Sequence, residues 1–303
     1  MERTPVIVLG MHRSGTSAVA HVIDLLGVPL GERDQLQVEW ENAPLQEVNE
    51  RVLRRAGRRW AIPPLGDDWL REPRVAELAD DASSALHAAF DGGNAGAWAW
   101  KDPRLCLTLP FWRPLLPREP VIVLTFRHPL EVAASLTKRD HFERDHGVAL
   151  WEIYTRAALR NAEGLPVVAV HYDELMADPA TEVARLARAL VELGVPFTPD
   201  GSVASAVASL ERGQRHHQHT PDALAGALNA EQLSLYHAAQ EVHGASNPFV
   251  APALPPLAPA TVALIEARAA WRLDPVHVRR RIRVRQVRRA ALRFLDRLGV
   301  RSR

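Results

Sequence analysis

The chain has 303 residues, 47% of them hydrophobic, with a net charge of +1 and a single cysteine. That much apolar material can fill one substantial core, while a lone Cys106 excludes an intrachain disulfide framework and a thiolate cluster for structural zinc, and points to a reducing compartment. No apolar leader precedes the first strand-like run and no run approaches about 18 apolar residues, so the expectation is a cytoplasmic protein without a membrane span.

The first apolar run, Val6-Ile7-Val8-Leu9, leads into Gly10-Met11-His12-Arg13-Ser14-Gly15-Thr16-Ser17 and then into an amphipathic stretch from Ala18 to Leu26. This layout reads as strand, turn, helix. Glycines let such a turn adopt left-handed angles and approach a ligand closely. Its N–H groups form an anion-binding nest, reinforced by the positive end of the helix dipole. A nucleotide-hydrolase loop would read G-x-x-x-x-G-K-[ST]; here Thr16 stands at the lysine position and Arg13 supplies a cation from inside the loop. A ligand-free glycine turn and a kinase with a degenerate loop are the competing readings of this segment alone. His12 reads as a packing or supporting residue.

Residues 31–72 carry Glu32, Glu39, Glu41, Asn42 and three tryptophans, Trp40, Trp60 and Trp69. A helix is expected from about Pro44 to Gly57, with Asn42 before it as a cap. This insertion is read as the acceptor-side wall of a site; the alternative is that Glu39 and Glu41 are simply solvated. A second strand-like run, 97–100, ends in Lys101-Asp102-Pro103-Arg104, either a charged site segment or a Lys–Asp pair capping a helix that starts at Pro103. The third, 121–126, ends in Arg127-His128-Pro129, where Pro129 suits the first position of a helix, and Ser135 falls about two turns into it. The fourth is 166–170, followed by His171-Tyr172-Asp173-Glu174-Leu175, a block read as supporting the fold more than the chemistry.

Short apolar runs separated by helical stretches predict an α/β fold, a P-loop-like parallel sheet flanked by helices. Ligands in such sheets bind beyond the carboxyl ends of the strands, which is where Gly10–Ser17, Lys101 and Arg127 fall. The segment 247–259 holds five prolines and reads as a linker or wrap. Helices at about 261–271 and 276–299 form a C-terminal extension. The expected division is therefore 1–246, 247–260 and 261–303.

The loop His12-Arg13-Ser14-Gly15-Thr16-Ser17 resembles the 5′-phosphosulfate loop of sulfotransferases that use 3′-phosphoadenosine-5′-phosphosulfate (PAPS), P-K-S-G-T-T in the cytosolic branch and P-R-S-G-T-T in the tyrosylprotein branch. Arg127 followed eight positions later by Ser135 resembles the family's 3′-phosphate motif, and Lys101-Asp102-Pro103-Arg104 is similar to a segment of many bacterial members. The resemblance covers roughly residues 5–216. It implies that Ser14, Gly15, Thr16 and Ser17 hold the 5′-phosphate, that Arg127 and Ser135 hold the 3′-phosphate, and that Arg13 and Lys101 neutralise charge in transfer. A late loop with Arg212 and Arg215 would close over the 3′-phosphate or be a mobile polar loop; His216, His217 and His219 make weak zinc ligands. A hydroxyl acceptor, on a carbohydrate, glycolipid or secondary metabolite, needs a general base; the candidates are Glu41, Glu32 and Glu39, with Glu41 first and Glu32 next. No metal is expected, since the moving group carries one charge rather than two.

From Val276 to Arg303 there are eleven arginines and His277 against one acid, Asp296, so the remainder is net acidic. The apolar positions Val284, Val287, Ala291, Leu295 and Leu298 recur at helical spacing. The first reading is a helix docked on the body, the second a helix for an anionic membrane surface, and the third, least favoured for want of a recognition fold, a nucleic-acid contact.

Overall fold

A computed structural model describes residues 3–91, 96–197, 202–211 and 227–273. In chain order the strands are β1 (Thr4–Leu9), β2 (Ala97–Lys101), β3 (Val121–Phe126), β4 (Val167–His171) and β5 (Ala245–Ser246). The helices are α1 (Thr16–Leu25), α2 (Ala43–Arg55), α3 (Pro73–Ala76), α4 (Ala79–Phe90), α5 (Leu105–Trp112), α6 (Pro129–Asp140), α7 (Arg144–Asn161), α8 (Tyr172–Ala177), α9 (Pro179–Glu192), α10 (Ser202–Glu211), α11 (Ala230–Gln240) and α12 (Pro259–Leu273).

The four longer strands are parallel, in the order β2-β1-β3-β4. Each is apolar on both faces because helices cover both sides. Ile7, Leu9, Trp98, Trp100, Ile122 and Leu124 face a core built with α2, α4, α5 and α7. Their alternating neighbours Val6, Val8, Ala97, Ala99, Val121 and Val123 face α1, α9 and α10. The period-2 alternation of strand side chains thus sends one sequence run into two cores. The α/β expectation holds, with one addition: the sheet is mixed. The two-residue β5 pairs antiparallel with β4, Val168 opposite Ala245, and was too short to carry a sequence signal.

β1 lies between β2 and β3, so the chain leaves it in one direction and returns on the other. This is the switch point where a crevice opens beyond the strand ends. The loop after β1 and the residues after β2 and β3 border it. The proline-rich segment after β5 wraps the body. Phe249 exchanges backbone hydrogen bonds with Gly164 and Leu165, and the buried Glu152 accepts from Ala258 N at 2.6 Å, from Thr261 Oγ1 at 2.5 Å and from Gln232 Nε2 at 3.0 Å. The predicted basic helix at 276–299 lies outside the described residues. No helix among the described residues is long and apolar enough to cross a membrane.

Candidate active site

The loop from Gly10 to Gly15 turns sharply between β1 and α1. Gly15 takes φ 87° and Arg13, unusually for a residue with a side chain, φ 70°. A left-handed non-glycine residue costs roughly 1–3 kcal/mol and persists where the surroundings hold it. Three contacts do so: Ser14 N donates to Met11 O at 3.0 Å, Arg127 Nη1 donates to the Arg13 carbonyl at 3.0 Å, and Arg13 Nε donates to Ser135 Oγ at 2.8 Å. Gly10 is needed because a β-carbon there would lie 2.7 Å from the Thr125 carbonyl, and its amide donates to the buried Cys106 Sγ. Gly15 is needed because a β-carbon would meet the Tyr172 ring.

α1 begins without a side-chain cap. Among the described residues no acceptor pairs with the N–H groups of Gly15, Thr16 and Ser17. Such orphan donors at a helix N-terminus are an anion site in waiting. Two guanidiniums flank it. Arg13 is exposed overall, and partial burial together with Arg139 and Arg127 lowers its pKa from the usual value. Arg127 is held by Glu131, whose Oε2 accepts from Nε at 2.9 Å and Nη2 at 2.8 Å, and lies 4.6 Å from the Tyr172 ring centroid.

A second cluster lies at the end of β2. Lys101, only 2% exposed, donates from Nζ to Glu41 Oε1 and to the Glu39 carbonyl, both at 2.8 Å. Ser17 Oγ donates to that same carbonyl at 3.1 Å. Glu41 Oε2 accepts from Gln46 Nε2 at 2.8 Å and from Arg104 Nη1 at 3.3 Å. Arg104 also grips Asp102 at 2.9 Å and Glu50 at 2.7 Å. Asn49 of α2 binds Asp102 and receives Thr108 and Trp112. Burial lowers the Lys101 pKa, opposed by Glu41 and Asp102. Burial pulls Arg104 the same way, but Asp102, Glu41 and Glu50 more than reverse it and hold that guanidinium above its ordinary value.

The sequence-predicted residues therefore divide. Arg13, Ser135 and Arg127 converge on the loop, but Ser135 meets Arg13 rather than Arg127. Lys101 and Glu41 form a contact ion pair, and the solvated reading of Glu41 does not describe it. Asn42 caps α2, its Oδ1 accepting from Leu45 N at 3.1 Å. Asp102 accepts from Arg104 N at 2.9 Å in the turn before α5, but the Lys–Asp pair of the capping alternative does not form: Lys101 pairs with Glu41, and α5 starts at Leu105 without a side-chain cap. Glu32 stays exposed at the start of the short turn Arg33–Gln35, outside both clusters. Of the three tryptophans of 31–72, Trp60 packs tilted against His12 with ring centroids 4.5 Å apart, Trp40 stacks on His21 at 4.4 Å, and Trp69 lies in the core. Arg212 and Arg215 lie outside the described residues. Among those that are described, no group of three or more His, Cys, Asp or Glu is arranged to hold a metal ion.

The sequence profile described as the Sulfotransferase family matches residues 5–199, which takes in both clusters and all four parallel strands. The chain belongs to the sulfotransferase family. Solved structures similar to this sulfotransferase include the sulfotransferase domain of the olefin synthase from Synechococcus PCC 7002 (18% identity, 88% of this chain and 95% of that one, TM-score 0.38). The sulfotransferase domain from the curacin biosynthetic pathway matches at 15% identity over 89% and 99% of the two chains, TM-score 0.41. Sulfotransferase STF1 from Mycobacterium tuberculosis H37Rv matches at 16% over 69% and 72%, TM-score 0.40. No curated protein sequence is a significant match.

Three participants escaped the sequence reading. Tyr172, assigned to a fold-supporting block, covers Gly15 and the face of Arg127. Glu131 grips Arg127; its i,i+4 spacing was visible, but nothing said that the pair would be buried. Arg104 stands out in the sequence only as the end of the Lys101-Asp102-Pro103-Arg104 motif, and it is the hub of the second cluster.

Proposed function

We propose that this sulfotransferase takes PAPS as its donor and a hydroxyl of a carbohydrate, glycolipid or secondary metabolite as its acceptor. The observation that carries the reading is the unpaired start of α1 with Arg13 and Arg127 converging beside it: amide donors and two cations where a doubly phosphorylated nucleotide needs them. Bound PAPS would supply the sulfuryl group. The amides of Gly15, Thr16 and Ser17, with the Thr16 and Ser17 hydroxyls, hold the 5′-phosphate, and Ser14 fixes the turn. Arg127 takes the 3′-phosphate, with Ser135 alongside. Arg212 and Arg215 remain candidates for the same group.

Arg13 and Lys101 neutralise charge that builds during transfer, an electrostatic role of the kind that dominates phosphoryl-type reactions. Glu41 is the assigned proton acceptor for the attacking hydroxyl. Its Oε1 already shares the Lys101 ammonium, so base and cation stand at one point, next to the Ser17 hydroxyl through the Glu39 carbonyl. Glu32, exposed and apart, is set aside. The reading requires no metal. It places the enzyme in the cytoplasm, with the arginine-rich 276–303 segment offered to an anionic membrane surface and no role in nucleic-acid binding.

Calorimetry with 3′,5′-ADP, ATP and Mg2+ tests the donor assignment. Binding of 3′,5′-ADP without metal, and tighter than ATP, is the expected result. ATP binding that depends on Mg2+, with no response to 3′,5′-ADP, would instead make the chain a kinase-like nucleotide binder. Full-length protein that ignores liposomes rich in anionic lipid would remove the membrane role.

A further inference from the structure

Arg127 is a partly spent cation. A guanidinium has five N–H donors. In Arg127, Nε and one Nη2 hydrogen go to Glu131 Oε2 and one Nη1 hydrogen goes to the Arg13 carbonyl. One face is covered by Tyr172 at 4.6 Å. The Arg127 carbonyl is itself held by Trp151 Nε1 at 3.2 Å. Among the described residues the other two N–H donors, one on each terminal nitrogen, have no partner, and they are the pair that can grip two oxygens of a single phosphate. The side chains of Arg127 and Glu131 are 9% and 4% exposed, so the orientation is set by protein rather than by solvent.

We propose that Glu131 is the positioning residue that turns the free edge of Arg127 outward and so sets the selectivity of the site for nucleotides bearing a 3′-phosphate. The inference rests on the donor reading above. It has a counter-intuitive side, because a carboxylate beside a phosphate site repels the ligand. Through-space electrostatics alone would have removal of Glu131 tighten binding. The two-point grip on a single oxygen argues the reverse: without it Arg127 loses its fixed plane, and the fork that recognises the phosphate is no longer preformed.

The test compares 3′,5′-ADP with 5′-AMP, which lacks only the 3′-phosphate, by calorimetry on the full chain. In the parent protein 3′,5′-ADP binds more tightly than 5′-AMP. In Glu131→Gln the ratio of the two affinities falls about tenfold, the scale of one charge-assisted hydrogen bond, while 5′-AMP binding holds. A general loosening of the fold would lower both affinities together and leave the ratio unchanged. Glu131→Asp, which keeps the charge but withdraws it by one methylene, should lose the ratio as well, and it serves if the glutamine variant does not fold. An unchanged ratio in the folded variant, or tighter 3′,5′-ADP binding, overturns the proposal. A parent protein that shows no preference for 3′,5′-ADP overturns the donor reading itself, a different result from failure of the variants.

Discussion

The two ends of the site handle positive charge in opposite ways. At the loop, Arg13 has a serine as its hydrogen-bond partner, and Arg139 and Arg127 act on it more strongly than the carboxylates of Asp140 and Glu39. Among the described residues, only Arg127 of the pair Arg13 and Arg127 has a paired carboxylate, Glu131, and the amides of the helix start have no acceptor. At the end of β2, Lys101 and Arg104 are enclosed by three carboxylates, Glu41, Asp102 and Glu50. On the proposed donor reading the first arrangement is relieved when an anion arrives, so its free energy is realised on binding. The second is complete in the protein alone and serves to fix Lys101 and Glu41 before any ligand enters. A group intended to bind an anion must be left short of counter-charge; a group intended to be held in place must not be.

Substitution at the two ends should therefore differ in kind. Lys101→Met leaves Glu41 buried with one cation instead of two, and breaking one side of a buried pair costs about 3–5 kcal/mol. Urea denaturation should show a loss on that scale. A loss below about 1 kcal/mol would show that solvent reaches the pair and would erase the contrast. Arg13→Ala should leave the denaturation midpoint nearly in place, because its side chain is exposed. Sulfuryl transfer from radiolabelled PAPS should nonetheless fall about 10²- to 10³-fold, the scale for losing one oriented donor. Undiminished transfer would remove Arg13 from the chemistry.

The same contrast explains what the sequence could reveal. The four parallel strands were legible because a buried parallel strand needs an uninterrupted apolar run, and no other local signal competes with it. The loop and Arg127 were legible because their positions at strand ends follow from that topology. The pairing of Lys101 with Glu41 was not, because the two stand 60 positions apart and nothing between them carries a period or spacing that brings them together. Ser135 illustrates the same limit. Its place on α6 follows from helical geometry, but its partner proved to be Arg13, 122 positions away, rather than the arginine of its own motif. Tyr172 was passed over because a tyrosine after a strand is as often core as site, and only the approach to Gly15 distinguishes the two.

His12 sits between the ends and gives an effect of intermediate size. Burial, with Arg104, Arg139, Lys101 and Arg13 around it, pushes its pKa well below 6.5. The unfolded chain takes up a proton near pH 6.5, whereas the native imidazole stays neutral there. Below that pH the unfolded state binds more protons, so stability is present above about 6.5 and declines as the pH falls. One such group changes stability by up to about 1.4 kcal/mol per pH unit. His171, also lowered by burial, adds a slope of the same sign, and it is retained in a His12→Asn variant, so it cancels from the comparison. Stability measured from pH 7 to pH 5 should fall less steeply in the variant. Equal slopes would mean that His12 is protonated in the fold and that the cations around it are further away than they stand.

The smallest effect isolates the β2 end from the loop. Asn42 accepts from Leu45 N at the start of α2, and its amide donates to Gln35 Oε1 at 3.0 Å. α2 brings Gln46, Asn49 and Glu50 to the charged cluster. Asn42→Ala should cost about 1 kcal/mol, as N-cap removal usually does. The loosened first turn of α2 carries Gln46, so the grip on Glu41 Oε2 weakens and transfer slows by less than Arg13→Ala slows it. Affinity for 3′,5′-ADP should not change, because no contact of Asn42 reaches Arg13, Arg127 or the start of α1. A matching loss of nucleotide affinity would show that the two ends act as one mechanical unit, and the division of labour between an under-neutralised binding end and a completed positioning end would fail.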